Sequence, residues 1–215
     1  MTSEKKNSIK KLDIQQPFFT PKINLNEYLA NAPDSKCDLI DGQYFHHSPA
    51  SKTHVRLRQI LVAIIDFFVS EHDLGTVLSE NFPVKLDEKN WREPEIMFIP
   101  NNQLDLLYDT IFTGIPDFII EILSEDSQFR DEVRKRAEYE KIGVKEYWII
   151  DPNSKENSIF LRIIDNKYQQ IEFEGNKIEI DSIPGLFFLD EWIWPPENYP
   201  RLQIVFRTLN LLDSQ

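Results

Sequence analysis

The chain has 215 residues, of which 41% are hydrophobic and 28% are charged, and its formal net charge is −12. This composition excludes a chain that is disordered throughout, and the length is sufficient for one sizeable domain. The acidic balance argues against a passive nucleic-acid coat, which needs a basic surface. It does not exclude an enzyme with a local basic patch and a bound cation.

Cysteine content and the N-terminal segment exclude further classes of protein. The single cysteine, Cys37, excludes an internal disulfide and a cysteine-rich zinc site. Residues 1–16 contain lysines but no apolar segment behind them, unlike a signal peptide. The longest apolar run, residues 60–69, is too short to span a bilayer. We expect a cytoplasmic protein with no membrane partner, a flexible tail over residues 1–20 and a single domain over residues 21–215.

The first predicted elements are a hairpin and a long helix. Asp41-Gly42 stands between two short apolar runs, which is typical of a two-residue hairpin turn. Residues 54–72 carry apolar side chains at helical spacing, with Ser51 or Thr53 available as the N-cap. Residues 76–86 are predicted to form a strand, and the proline within them indicates an edge or an end.

Further strands, a second helix and a second hairpin follow. The predicted strands are residues 92–100, 115–124 and 144–152. The last two show little polar alternation, as in strands that are buried on both faces. Residues 127–143 predict a helix that ends at Gly143, and residues 158–173 predict a hairpin that turns at Asp165-Asn166. The order predicts an α/β fold with a mixed β-sheet flanked by helices.

A carboxylate interrupts the most apolar of these strands, at Glu121. A buried carboxylate becomes neutral, pairs with a cation or binds a metal, and a structural ion pair is as reasonable as a functional site at this point. Glu95 lies on a strand predicted to be adjacent and faces the same way as Met97 and Ile99, because side chains alternate along a strand. Two converging carboxylates repel unless a cation lies between them, and oxygen ligands suit Mg²⁺.

The second helix offers a cation, but its pattern is ambiguous. Asp131, Lys135 and Tyr139 share one stripe through i, i+4 spacing. The roughly opposite face carries the apolar residues Phe129, Val133 and Ala137. If that apolar stripe faces the core, Lys135 is exposed to solvent.

Taken together, these segments resemble the Uma-two (Uma2) family, a bacterial branch of the PD-(D/E)XK nuclease superfamily. The family pattern has a Glu ahead of a Ser, here Glu121 and Ser124, then an Asp and a Lys four residues apart and a Tyr four further on. Its Gly-Val, Glu-Tyr-Trp and Asp-Pro pairs and triplets occur here at 143–144, 146–148 and 151–152. The upstream hairpin at 38–54 and the Pro-Gly-Leu segment at 182–192 also match, so the resemblance covers about residues 25–194.

The resemblance implies a restriction-endonuclease-like core with extra β-hairpins and a divalent metal, Mg²⁺ or Mn²⁺. Glu121 is then the acidic residue of the (D/E)XK half-motif, and the lysine of that motif is displaced to Lys135. Pro94-Glu95 is the PD half-motif, with Glu in place of the family's Asp, whereas Pro116-Asp117 lies too close to Glu121 in sequence. The auxiliary residues that the resemblance implies are Asp38, His54, Asp131 and Tyr139.

Two functions remain open. In the first, Glu95 and Glu121 hold the metal and Lys135 positions the attacking water, in an endonuclease that cuts double-stranded DNA as a symmetric homodimer. In the second, the chain is an inactive nuclease-fold module for binding or regulation, which the longer Glu95 side chain and the acidic composition favour. Candidate phosphate contacts, or alternatively residues of solvated helix faces, are Lys52, Arg56, Arg58, Arg130, Arg134 and Arg136.

Overall fold

The computed structural model describes residue 27 and residues 36–46, 50–124, 130–195 and 198–212, with only the backbone of residues 130–132. The predicted tail over residues 1–20 lies outside the described residues. In chain order the first elements are β1 (Cys37–Ile40), β2 (Gln43–His46) and the helix α1 (Lys52–Glu71). Within the described part of the chain, no helix is long and apolar enough to cross a bilayer.

The first hairpin and the long helix are confirmed. β1 and β2 pair antiparallel around Asp41 and Gly42, whose φ angles are 51° and 79°, as a two-residue hairpin turn requires. Of the two candidate N-caps, Ser51 caps α1, because its side chain accepts a hydrogen bond from the backbone N–H of His54 at 3.2 Å.

Two of the predicted strands are each divided between two sheets. Residues 76–86 form β3 (Gly75–Ser79) and β4 (Val84–Lys85), because Glu80 and Asn81 both adopt positive φ angles and turn the chain between them. Residues 92–100 contain the end of β5 (Trp91–Arg92) and all of β6 (Ile96–Pro100). Pro94 stands between β5 and β6 and has no N–H to donate to a ladder.

The larger sheet is mixed, as predicted. Its remaining strands are β7 (Phe118–Ile122), β8 (Glu146–Asp151), β9 (Ser154–Ile164) and β10 (Lys167–Gln170). The strand order is β10-β9-β8-β7-β6-β3, in which only the β7–β8 pair is parallel. The predicted hairpin turn at Asp165-Asn166 joins β9 and β10. A smaller sheet has the order β2-β1-β5-β4.

The second helix begins irregularly and leads back into the larger sheet. A π-helical turn, Arg130–Lys135, continues as α2 (Arg136–Ile142), which ends at the predicted Gly143 with a φ of 93°. The C-terminal part of the described chain forms β11 (Lys177–Glu179), β12 (Phe187–Leu189), α3 (Asp190–Ile193) and α4 (Leu202–Thr208). β11 and β12 pair as a separate two-stranded sheet.

The larger sheet is buried on both faces, which explains the unbroken apolar run of β7. Phe118, Ile120 and Ile122 pack in a core formed with α1 and the C-terminal elements. Ile119 packs on the other face, in a second core that includes Tyr139 of α2. Alternation along β7 therefore places Glu121 on the side of the sheet that α2 covers.

Candidate active site

Glu121 and Lys135 form a buried ion pair between β7 and α2. Glu121 is 2% exposed and Lys135 is 1% exposed. The Lys135 Nζ donates to Glu121 Oε1 at 2.6 Å, and the Tyr139 hydroxyl donates to the same oxygen at 3.3 Å. Removing both charges from water is costly, so the pair depends on this close match of opposite charges and donors.

The alternative in which the apolar stripe of the second helix faces the core does not hold for the described residues, and Phe129 of that stripe lies outside them. Val133 is 52% exposed and Ala137 is exposed, whereas Lys135 and Tyr139 point inward. The π-helical turn uses i→i+5 bonds, so an α-helical period cannot be extended through residues 130–135.

Glu95 immediately precedes β6 and is surrounded by basic side chains. Its Oε1 lies 2.5 Å from Lys36 Nζ and 3.1 Å from His54 Nε2. Arg58 Nη1 donates to Glu95 Oε2 at 2.9 Å and also contacts Glu80 Oε1 at 2.6 Å. His54 and Arg58 belong to the first two turns of α1, so α1 supplies two of the side chains that surround the Glu95 carboxylate.

Glu95 and Glu121 lie at the same end of adjacent strands. β6 pairs antiparallel with β7 through Ile96 and Ile120, and one further step of this register brings residue 95 opposite residue 121. The predicted neighbouring position of the two strands is therefore confirmed. Each carboxylate has its own cationic partners, Lys36 and Arg58 for Glu95 and Lys135 for Glu121.

The surroundings of Glu95 keep its carboxylate ionised. Burial raises the pKa of Glu95, but the contact with His54 and the charge of Lys36 outweigh burial and hold the pKa far below its ordinary value of 4.5. An ionised carboxylate is the form that a metal ion requires as a ligand.

This depressed pKa predicts an acid-sensitive fold. Because the unfolded chain takes up the proton at a higher pH than the folded chain, the contribution of Glu95 is present above pH 4.5 and is lost as the pH falls below it. We expect the free energy of unfolding to fall by up to about 1.4 kcal/mol per pH unit in that range from this group alone. Urea denaturation at a series of pH values measures the slope, and Glu95→Gln should flatten it. Equal slopes in the two proteins would contradict the prediction.

Asp38 holds the segment that leads to Glu95. Asp38 is fully buried in β1, and its Oδ1 accepts the backbone N–H of Glu93 at 3.1 Å. Its Oδ2 lies 3.9 Å from Nη1 of the buried Arg92. Arg92 in turn binds Glu138 of α2 through two hydrogen bonds.

The remaining predicted residues divide clearly. The side chains of Asp131 and Arg130 lie outside the described residues. Lys52 and Arg56 at the start of α1 are exposed, and so is Arg134, which agrees equally with phosphate contacts and with solvated helix faces. The site residues that sequence reasoning missed are Lys36, Glu80, Arg92 and Glu138. Each of them contacts the site through residues distant in sequence, and no local pattern marks them.

The donor chemistry of the site fits a divalent cation of the Mg²⁺ type. Two buried carboxylates from adjacent strands supply oxygen ligands, and Mg²⁺ is often bound by one or two carboxylates together with waters and phosphates. Burial, with the charges of Glu93 and Asp38, raises the pKa of the Cys37 thiol to about 12, so this thiol is protonated at neutral pH in the metal-free protein. Among the residues that the structure describes, no group of three or more His, Cys, Asp or Glu is arranged to hold a metal ion.

Known proteins resemble the chain both in sequence and in fold. The sequence model of the Uma2 family, described as "Putative restriction endonuclease", matches residues 25–190. No curated protein sequence matches the chain. A crystal structure described as a putative nuclease belonging to DUF820 from Anabaena variabilis ATCC 29413 is similar, with a TM-score of 0.66 at 18% identity. The match covers 80% of this chain and 97% of that chain, and it confirms the predicted α/β fold class.

Proposed function

Because the chain belongs to the Uma2 family of restriction-endonuclease-like proteins, we propose that it is a metal-dependent endonuclease that hydrolyses phosphodiester bonds in double-stranded DNA. The observation that carries the proposal is the buried contact of 2.6 Å between Lys135 and Glu121. A buried lysine–glutamate pair near a strand end is the combination that the proposed metal-dependent hydrolysis would use, with Glu95 as the second ionised carboxylate.

In this proposal two carboxylates bind the metal ion together. Glu95 and Glu121 would hold Mg²⁺ or Mn²⁺, and Asp38 would support the segment that carries Glu95. When bound, the metal lowers the pKa of a water molecule and stabilises charge on the phosphate. His54, Lys36 and Arg58 keep Glu95 ionised before any metal arrives.

Lys135 has the chemistry to act on the phosphate. In this proposal the Lys135 ammonium, which binds Glu121, donates to the attacking water or to a phosphate oxygen when the substrate is bound. Burial strengthens such interactions because little water screens them. Tyr139 donates to the same oxygen of Glu121 and so restricts where the carboxylate can lie.

DNA contacts would come from the basic residues near the site. Lys52 and Arg56 are exposed at the start of α1, and Arg134 is exposed next to Lys135 in the chain. Such side chains supply phosphate contacts on an otherwise acidic protein. Since a single active site cuts one strand, cleavage of a duplex would use a symmetric homodimer.

Calorimetric titration with Mn²⁺ tests the proposed site directly. We expect wild-type protein to bind Mn²⁺ and Glu121→Gln to lose binding, with circular dichroism confirming that both are folded. Asp117→Asn is the matched control, because Asp117 lies just before the same strand and pairs with Lys145 at 2.6 Å. Absence of binding in the folded wild-type protein, or equal loss in the control, would contradict the proposed metal site.

A second candidate, a nuclease-fold module that binds DNA without cutting it, is favoured by the crowded surroundings of Glu95. Lys36, His54 and Arg58 all contact that carboxylate, in the place where the proposed metal must bind. A mobility-shift assay in the presence of a chelator measures duplex binding, and a cleavage assay with Mg²⁺ or Mn²⁺ measures activity. Together they separate the two candidates. Duplex binding without any metal-dependent cleavage would support the binding module and reject the endonuclease.

A further inference from the structure

We infer that Arg92 is a positioning residue of the proposed active site, because its ion pair with Glu138 holds α2 in the place where Lys135 meets Glu121. The importance of this placement rests on the proposed function, which gives Lys135 its role. The contacts that produce the placement can be tested without any activity.

Arg92 is joined to α2 by a two-point contact. Its Nε donates to Glu138 Oε2 at 2.8 Å and its Nη2 donates to Glu138 Oε1 at 2.7 Å. Paired N–H donors against a carboxylate fix direction as well as distance, which a single point charge does not. The contact therefore sets both the separation and the orientation of α2 relative to the smaller sheet.

The other side of the guanidinium is anchored in the smaller sheet. Arg92 is 0% exposed, and its Nη1 donates to the backbone carbonyls of Leu39 at 3.3 Å and Trp91 at 3.4 Å. Asp38 Oδ2 lies 3.9 Å from the same nitrogen. Removing Glu138 would take two hydrogen bonds from a buried charge and leave it to the carbonyls and to Asp38, so the structure favours keeping Glu138 in place.

α2 depends on such outside contacts for its position. The helix has only 7 residues and follows a π-helical turn, and helices of that length are not stable alone in water. Glu138 lies three residues after Lys135 and one before Tyr139, so holding Glu138 also holds Lys135 and Tyr139, which contact Glu121. Arg134 also donates to Glu138 Oε1, at 3.3 Å, but it is exposed and contributes little.

The inference connects the two halves of the site through one short segment. Arg92 ends β5, and Glu95, three residues later, immediately precedes β6. This segment supplies one carboxylate directly and, through Arg92 and Glu138, orients the helix that carries Lys135 toward the other. A displacement of the segment would therefore disturb both halves together.

Chemical labelling of lysine amines measures the placement of Lys135. In the wild-type protein Lys135 is 1% exposed and should react slowly with an amine-methylating reagent, whereas Lys145, with a side chain 63% exposed, serves as the internal reference. We expect Glu138→Gln to label Lys135 at least about tenfold faster relative to Lys145, because loss of the ion pair frees α2 to open locally. Mass spectrometry of the peptides gives the rate at each lysine.

A matched variant separates positioning from general loosening. Glu146→Gln removes a buried carboxylate that Arg162 binds at 3.0 Å, at the start of β8, and should leave Lys135 protected. Arg92→Lys is the substitute if Glu138→Gln does not fold. It retains the charge but loses the two-point contact, so Lys135 should be labelled faster than in the wild-type protein. Unchanged protection of Lys135 in the folded Glu138→Gln or Arg92→Lys variant, or equal exposure in Glu146→Gln, would overturn the inference.

The positioning role of Arg92 and the proposed endonuclease function can be rejected independently of each other. If the wild-type protein neither binds Mn²⁺ nor cuts DNA but Glu138→Gln exposes Lys135, the positioning contact stands and the endonuclease proposal falls. If the protein cuts DNA and Glu138→Gln leaves Lys135 protected, the endonuclease proposal stands and Arg92 has only a structural role.

Discussion

Lys135→Gln is expected to lower the rate of Mg²⁺- or Mn²⁺-dependent cleavage of duplex DNA by about 10²–10³-fold, the usual effect of removing one donor to developing charge. The amide can still bond to Glu121, but it carries no positive charge for the phosphate in the transition state. Cleavage of a supercoiled plasmid, followed over time at a temperature where circular dichroism shows the variant folded, gives the rate.

The control for this experiment is Lys145, a lysine that pairs with the residue just before β7. Lys145 contacts Asp117 at 2.6 Å, the same distance as Lys135 to Glu121, but its side chain is 63% exposed. Lys145→Gln should therefore cleave at the wild-type rate. Equal activities of the Lys135 and Lys145 variants would remove Lys135 from the mechanism and favour the binding module.

The second large effect concerns stability. Lys135→Met should lower the free energy of unfolding by about 3–5 kcal/mol, because it leaves the buried Glu121 carboxylate without its cation. The double variant Glu121→Leu/Lys135→Met should recover most of this loss, since apolar side chains of similar volume replace buried ion pairs at little cost. Urea denaturation of the single and double variants measures both terms.

An exposed ion pair provides the comparison for Lys135→Met. Lys145→Met removes an ion pair of the same length at the protein surface and should change the free energy of unfolding by no more than about 1 kcal/mol. A loss of that small size in Lys135→Met as well would show that Glu121 is solvated or protonated in solution. Recovery in the double variant would also indicate that stability alone does not require the pair, which supports a functional reason for it.

Local patterns in the sequence correctly predicted most of the elements. Asp41-Gly42 and Asp165-Asn166 turn their hairpins, because both residues of each turn adopt the positive φ angles that such turns need. The apolar spacing of residues 54–72 predicts α1 to within a turn. The same patterns identified Glu121 as a carboxylate in a strand buried on both faces, because a buried run of this kind contains few charges without a partner.

The tertiary structure alone decided how the site is assembled. A hydrophobic period cannot show that Glu80, Asn81 and Pro94 divide two apparent strands between two sheets. Nor can it be followed through a π-helical turn, and the inward position of Lys135 is therefore visible only once β7 and α2 have packed together.

The separation of contacting residues along the chain is the physical reason why the elements, but not the contacts of the site, could be predicted. Turns and helix caps depend on residues within a few positions of each other, so the chain shows them directly. The contacts of Lys36 with Glu95 and of Arg92 with Glu138 join residues 59 and 46 positions apart. The sequence by itself determined the elements and the presence of a buried acid, whereas only packing of the two sheets against α1 and α2 determined which cations meet the acids.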